Sequence, residues 1–288
     1  LLDRFRPDAI VNTVWSPWSS RILREMDVES TPVVYLAHGA ELLHYRSSWG
    51  ISMSRDLRRS RAVFVNSRWT RDRVVDLDVD SKCVHLLTMG VRDIRFLPEP
   101  CDPAETALLA RIGERPMVLS ICSLVERKGV DMMVQAMGAV LGQVPSAICV
   151  HAGEGPDRER ILELIHAREL QDQFILAGSI SQEMKAELLR RCTVFVMPSR
   201  DVDDGRIEGF GIVFLEAALF GKPSVGGCSG GVPDALHDGQ FGTLVDPTDM
   251  SDIAQAITYW ITNPALAAKT GQQAQQHVLS SHDWFTGA

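Results

Sequence analysis

The chain has 288 residues, a formal net charge of −8, 45% hydrophobic residues and 23% charged residues. That length allows two domains with real cores, and the composition excludes a disordered chain. The acidic balance argues against nucleic acid as a partner, and no apolar run approaches the roughly 18–20 residues that a membrane helix needs.

The start, Leu1-Leu2-Asp3-Arg4-Phe5-Arg6-Pro7, has no apolar core and does not read as a secretory signal. In chain order, short apolar runs ending in turn residues predict strands over 9–14, 33–37, 62–66 and 84–89. The pattern then breaks at Pro98, Pro100 and Pro103 and restarts after Pro116. Further strands are predicted over 117–122, 147–151, 174–177, 194–197 and 224–226, with helices over 131–141, 156–170, 182–192, 212–220 and 252–262. Continuous apolar strands alternating with helices imply parallel sheets covered on both faces.

The fold class is therefore α/β, with two Rossmann-like, doubly wound domains facing across a cleft. The expected boundaries are 1–100 for a first domain, 101–115 for a linker and 116–288 for a second domain. Only four strands precede the linker, so the first domain is expected to be incomplete, lacking an amino-terminal βαβ portion. Cys83, Cys101, Cys122, Cys149, Cys192 and Cys228 show no metal-site spacing. Three of them lie in apolar strand-like runs, which fits structural roles in a reducing, cytoplasmic setting. Asp201, Asp203 and Asp204 form a short acidic loop that reads as solvated, and no metal site is expected.

The informative stretch is "RIEGFGIVFLEAALFGKP", residues 206–223. Glycine is costly inside a helix, so the helix is expected to start near Gly211, with Glu208 in the loop before it and Glu216 in its second turn. The eight-residue step spans roughly 12 Å, too far for either carboxylate spacing used by glycosidases. It does suit the reach from a sugar across a diphosphate to a ribose. Between the two carboxylates, Gly209, Phe210, Gly211 and Ile212 bring exposed amides to a helix N-terminus, which attracts anions. A carboxylate among so many apolar neighbours as Glu216 needs a partner or a purpose.

These residues resemble the glutamate, seven residues, glutamate signature of the retaining glycosyltransferases of family four, which have the GT-B fold. "LVERKGVD", "HAGEGPDRERI", "FILAGSI", "VFVMPSR", "SGGVPDAL" and "DGQFGTLVDP" follow in the family's order, and "YLAHGAE", "VNSRWTRDRV" and "MGV" match more loosely in the first half. The resemblance implies catalytic roles for Glu208, His38 and Lys128: sugar hydroxyls at Glu208, donor sugar at His38, diphosphate at Lys128. It places the ribose on Glu216 and the base against the backbone of Gly178, Ser179 and Ile180.

The family arginine five residues before the lysine falls on Ser123, so one expected phosphate cation is missing. Arg127 is the nearest substitute, but a step of one residue along a turn is expected to point it elsewhere. The resemblance further implies metal-independent transfer with retention, no bound cofactor beyond the nucleotide-sugar donor, and a lipid or saccharide acceptor. The look of "IEGFGIVFLEAA" and "SGGVPDAL" is nearest to phosphatidylinositol mannosyltransferases, which favours GDP-mannose over UDP-sugars. Arg55, Arg58, Arg59, Arg61, Arg68, Arg71 and Arg73 fit either a solvated helical face or peripheral contact with an inner membrane surface. A nucleotide-sugar epimerase, or a binding module without turnover, are the competing readings.

Overall fold

The chain builds two parallel sheets in a computed structural model that describes residues 7–24, 31–39, 41–42, 48–202 and 205–282. In the first, β1 (Ile10–Asn12), β2 (Val33–Ala37), β3 (Ala62–Val65) and β4 (Val84–Leu86) lie in the order β1-β2-β3-β4. The crossovers are α1 (Pro17–Arg24), α2 (Ser48–Arg58) and α3 (Arg68–Val75). Val63, Val65, Met53, Leu57 and Val74 are buried between sheet and helices. The strand predicted over 84–89 stops at Leu86, and the remainder becomes the crossover to the second domain.

The segment expected as a linker, 101–115, contains helix α4 (Pro103–Ile112). Asp102 caps it by accepting from the Ala104 amide at 2.8 Å, and Pro103 takes a first-turn position where its missing N–H costs nothing. Leu109 and Ile112 join Val91 and Ile94 in the core of the second domain. The proline that reads as an interruption in the sequence thus also starts a helix.

The second domain runs through β5 (Met117–Ile121), α5 (Val130–Gln143), β6 (Ile148–Ala152), α6 (Arg158–Ala167), β7 (Phe174–Gly178), α7 (Gln182–Arg191) and β8 (Val194–Met197). It continues with α8 (Ile212–Leu219), β9 (Ser224–Gly227), α9 (Val232–Ala235), β10 (Gly242–Val245), α10 (Met250–Thr262) and α11 (Pro264–Ser281). The strand order is β10-β9-β8-β5-β6-β7, all parallel. Leu119, Val150, Phe195 and Phe214 fill one face, and Val118, Cys149, Val196 and Ile257 fill the other.

From β5 the chain winds outward through β6 and β7, then returns to build β8, β9 and β10 on the opposite side. The order therefore reverses between β5 and β8, the kind of point at which open α/β sheets offer a crevice at the carboxyl ends of their strands. Lys128 follows β5 and Glu208 follows β8. Helix α11 returns to the crossover: the His282 carbonyl accepts from the Val91 amide at 2.9 Å and its Nδ1 lies 2.7 Å from the Met89 carbonyl. Among the described residues no helix is long and apolar enough to cross a membrane.

The core carries an acid-sensitive histidine. His151, in β6, is fully buried with neither ring nitrogen hydrogen-bonded, and burial pushes its pKa down to about 4. The unfolded chain takes up this proton near pH 6.5 and the folded chain only near 4. Stability is thus fully present above about 6.5 and falls as pH drops through that window, by about 3 kcal/mol. We expect His151→Val to flatten the part of the pH dependence lying between pH 7.5 and 4.5 in urea unfolding. An unchanged slope would refute this assignment.

Candidate active site

The crevice is built from turns held by backbone geometry. After β5, residues 126–128 form a single 3₁₀ turn that ends at Gly129, with φ 71° and ψ 21°. A Cβ at Gly129 would lie 2.1 Å from the Pro198 carbonyl oxygen, so the turn is pressed against the end of β8. Asp131, in the first turn of α5, is clamped by Arg200 at 2.9 and 2.8 Å and by Arg160 at 3.3 Å. Burial pushes the Asp131 carboxyl up, but Arg200 and Arg160 outweigh it and hold the group below its usual range. The Arg200 amide donates to the Arg127 carbonyl at 2.9 Å. This brace fixes the Glu126–Lys128 turn in place, and nothing local in the sequence marks it.

Three side chains meet at the mouth. The Lys128 ammonium donates to Glu208 Oε2, and the Arg127 guanidinium reaches the same oxygen at 3.1 Å. Glu208 and Lys128 are largely buried, and Arg127 is 27% exposed. Burial pushes the Glu208 carboxyl up, but Lys128 and then Arg127 outweigh it and hold it below the ordinary carboxylate range. Arg127 therefore does not point away, as its place one residue along the turn implies. Its long side chain folds back to the same carboxylate as its neighbour. Cys122 lies close by, but burial pushes its thiol up to about 11, which leaves no thiolate to act as a nucleophile.

Gly209 is where the two domains touch. A Cβ there would lie 2.0 Å from the His38 carbonyl oxygen, so only glycine permits the approach. The same carbonyl accepts from Asn66 Nδ2 at 3.0 Å, and the His38 amide donates to Glu41 Oε1 at 2.6 Å. The His38 ring lies 3.0 Å from the Thr13 carbonyl through Nε2. His38 thus stands at the carboxyl end of β2 and against the glutamate loop. A second contact joins the domains: Arg68, at the start of α3, is held by Asp234 and Asp238.

Helix α8 starts at Ile212 behind Gly211, as the glycine spacing predicts. Phe210 is a core side chain, 7% exposed, so only its backbone can face a ligand, while Ile212 stands open at the tip. Glu216 does not face water; Lys185 Nζ of α7 lies 2.5 Å from its Oε1, and both side chains are 17% exposed. Lys185 is a partner that sequence reasoning missed, because it sits on an ordinary amphipathic helix.

Gly178 ends β7 buried, Ser179 is exposed, and Ile180 packs at the edge of the core. Ser123 is exposed. Asp201 accepts from Ser229 Oγ at 2.5 Å; Asp203 and Asp204 lie outside the described residues. Among the described residues no group of three or more His, Cys, Asp or Glu is placed to hold a metal ion.

The Glycosyl transferases group 1 profile matches residues 106–277, and the Glycosyltransferase Family 4 profile matches residues 1–94. The chain belongs to the family 4 glycosyltransferases.

This glycosyltransferase is 33% identical, over 76% of its length, to a GDP-mannose-dependent alpha-(1-6)-phosphatidylinositol monomannoside mannosyltransferase from Mycolicibacterium smegmatis. It spans 58% of that relative's length. It is 27% identical to an alpha-D-kanosaminyltransferase from Streptomyces kanamyceticus, covering 76% of the chain and 55% of the relative. Among solved structures it resembles Anabaena Alr3699/HepE in complex with UDP, with TM-score 0.79 at 18% identity over 96% of this chain and 76% of the other. A sucrose-phosphate synthase from Thermosynechococcus elongatus gives TM-score 0.79 at 23% identity, covering 99% and 72% of the two chains. These likenesses bear out the GT-B architecture expected from the motifs.

Proposed function

We propose that this glycosyltransferase moves a hexosyl residue from a nucleotide sugar to a lipid or saccharide acceptor, with retention and without a metal. The observation that carries this reading is the Arg127–Lys128–Glu208 cluster at the strand-order reversal, next to the Gly209 loop that touches the His38 backbone. In this reading the bond from the anomeric carbon to the diphosphate oxygen breaks, and the acceptor oxygen bonds to that carbon on the same face. The acceptor's proton passes to the departing diphosphate.

Charge growing on the diphosphate is met by Lys128 and by the amides at the start of α8, which are set before the reaction begins. Glu208 orients sugar hydroxyls, His38 contacts the donor sugar, and Glu216 accepts from the ribose hydroxyls. The backbone of Gly178, Ser179 and Ile180 lies against the base. Mannose from GDP-mannose is the favoured donor, because the mycolicibacterial relative is named for it.

Incubation with GDP-mannose and UDP-glucose, beside a thermal-shift panel of GDP, UDP and ADP, tests the donor. GDP is expected to raise Tm most, since a ligand bound only by the folded state stabilises it; a larger shift with UDP would overturn the mannose assignment. For the ribose, Glu216→Gln is expected to weaken nucleoside diphosphate binding roughly tenfold. A 2′,3′-dideoxy analogue should bind wild type and variant alike. Equal weakening of both ligands in calorimetry would sink the ribose role.

A further inference from the structure

The cluster has an unbalanced charge. Arg127 and Lys128 both converge on Glu208 Oε2, and among the described residues no other carboxylate pairs with either cation. One carboxylate neutralises one of them, so the mouth keeps an excess positive charge beside a helix N-terminus. Holding two cations this close is unfavourable unless an anion of higher charge joins them. Glu208 needs only Lys128 for its own compensation, so a purely structural pairing leaves Arg127 unexplained.

Arg127 is also not there by looseness of the chain. Neighbouring residues on a 3₁₀ turn diverge by about a third of a revolution, and its side chain nevertheless bends back to the mouth. Its backbone is pinned through the Arg200 amide, which the Asp131 clamp holds. Its side chain keeps 27% exposure, whereas that of Lys128 keeps 12%. A ligand entering the crevice therefore meets the guanidinium from solvent.

We propose that Arg127 is the second phosphate cation of the donor site, and that it supplies the charge missing at Ser123. The proposal rests on the reading of the crevice as a nucleotide-sugar site. Before the donor arrives Glu208 spans both cations and keeps them aimed. On binding, the terminal phosphate takes the guanidinium, and Glu208 is freed toward the sugar. A planar fork suits two phosphate oxygens better than a point charge does.

The test is calorimetry with GDP and GMP, or with UDP and UMP if the wild-type chain prefers uracil. Arg127→Gln is expected to weaken the diphosphate roughly 10- to 100-fold and the monophosphate less than about threefold. Arg127→Lys is expected to lie between variant and wild type. Adding Ser123→Arg to Arg127→Gln is expected to bring diphosphate affinity back to within about fivefold of wild type.

The proposal is overturned by an unchanged diphosphate affinity in Arg127→Gln, by equal weakening of mono- and diphosphate, or by failure of Ser123→Arg to restore binding. Should Arg127→Gln not fold, the ratio of diphosphate to monophosphate affinity in Arg127→Lys decides, and a wild-type ratio there counts against the proposal. A wild-type chain that binds neither GDP nor UDP overturns the donor reading itself, and the role of Arg127 with it.

Discussion

Lys128→Ala is expected to lower transfer, measured as kcat/KM with the preferred nucleotide sugar, by about 100- to 1000-fold. In the proposed reading the ammonium would meet the oxygen on which leaving-group charge develops, in a mouth where Lys128 is only 12% exposed. An interaction that grows as the bond breaks contributes more to kcat than to binding. The loss should therefore fall mainly on kcat.

The fold is expected to survive, because Glu208 keeps Arg127 at 3.1 Å. A second readout separates chemistry from packing. With Lys128 gone, the Glu208 carboxyl loses its stronger electrostatic support, so its pKa should rise toward the ordinary carboxylate range. The ion-paired form of Glu208 stabilises the wild-type chain above that range, and this contribution is lost as pH falls through the depressed pKa. In Lys128→Ala, with the folded pKa nearer the unfolded one, this loss should be smaller and complete at higher pH. A variant with less than about a fivefold drop in kcat/KM would remove Lys128 from the chemistry.

Gly129→Ala is expected to damage both the fold and the site. Gly129 adopts φ 71°, where a side chain costs about 1–2 kcal/mol. A Cβ would also lie 2.1 Å from the Pro198 carbonyl oxygen and 3.0 Å from its carbon. Both atoms are backbone, so no rotamer change relieves the contact. Overpacking of this kind adds about 1–3 kcal/mol, for a total of about 3 kcal/mol.

The turn carrying Arg127 and Lys128 must swing away from β8 to make room, so nucleotide binding should fall together with stability. Gly138→Ala provides the control. Gly138 lies in α5, and a methyl carbon added there would meet nothing within 4 Å. Alanine at this position should stabilise by about 0.5–1 kcal/mol. Urea unfolding of both variants checks the pair. Similar midpoints for the two would contradict the steric account.

Much of this architecture was legible one element at a time. Runs such as Val194–Met197 are apolar on both faces because both faces of the sheet are covered, and Gly211 marks the start of α8 because glycine is a poor helix interior residue. Helix α11 and strand β10 are among the elements that carried no such signal. Helix α11 buries Ala267, Thr270, Gly271, Ala274 and Val278, a stripe of mostly small residues amid glutamines. That stripe has little hydrophobic contrast, and Gly271 is chosen for close approach to the Gly221 carbonyl. Strand β10 is short, begins with glycine and lies at the sheet edge, so its pattern is weak.

Local chemistry, by itself, determined which residues could bear charge and where the chain must turn: Lys128 on a glycine-ended turn, Glu208 ahead of a helix, Glu216 within one. These follow from spacing and backbone preference, which act over a few residues. Tertiary structure alone decided the partners. Arg127 joins Glu208 across 81 positions, Lys185 joins Glu216 across 31, and Arg68 joins Asp234 across 166. Electrostatic pairing depends on distance in space: the reversal of strand order between β5 and β8 brings Arg127 to Glu208, packing of α7 beside α8 brings Lys185 to Glu216, and the meeting of the two domains brings Arg68 to Asp234.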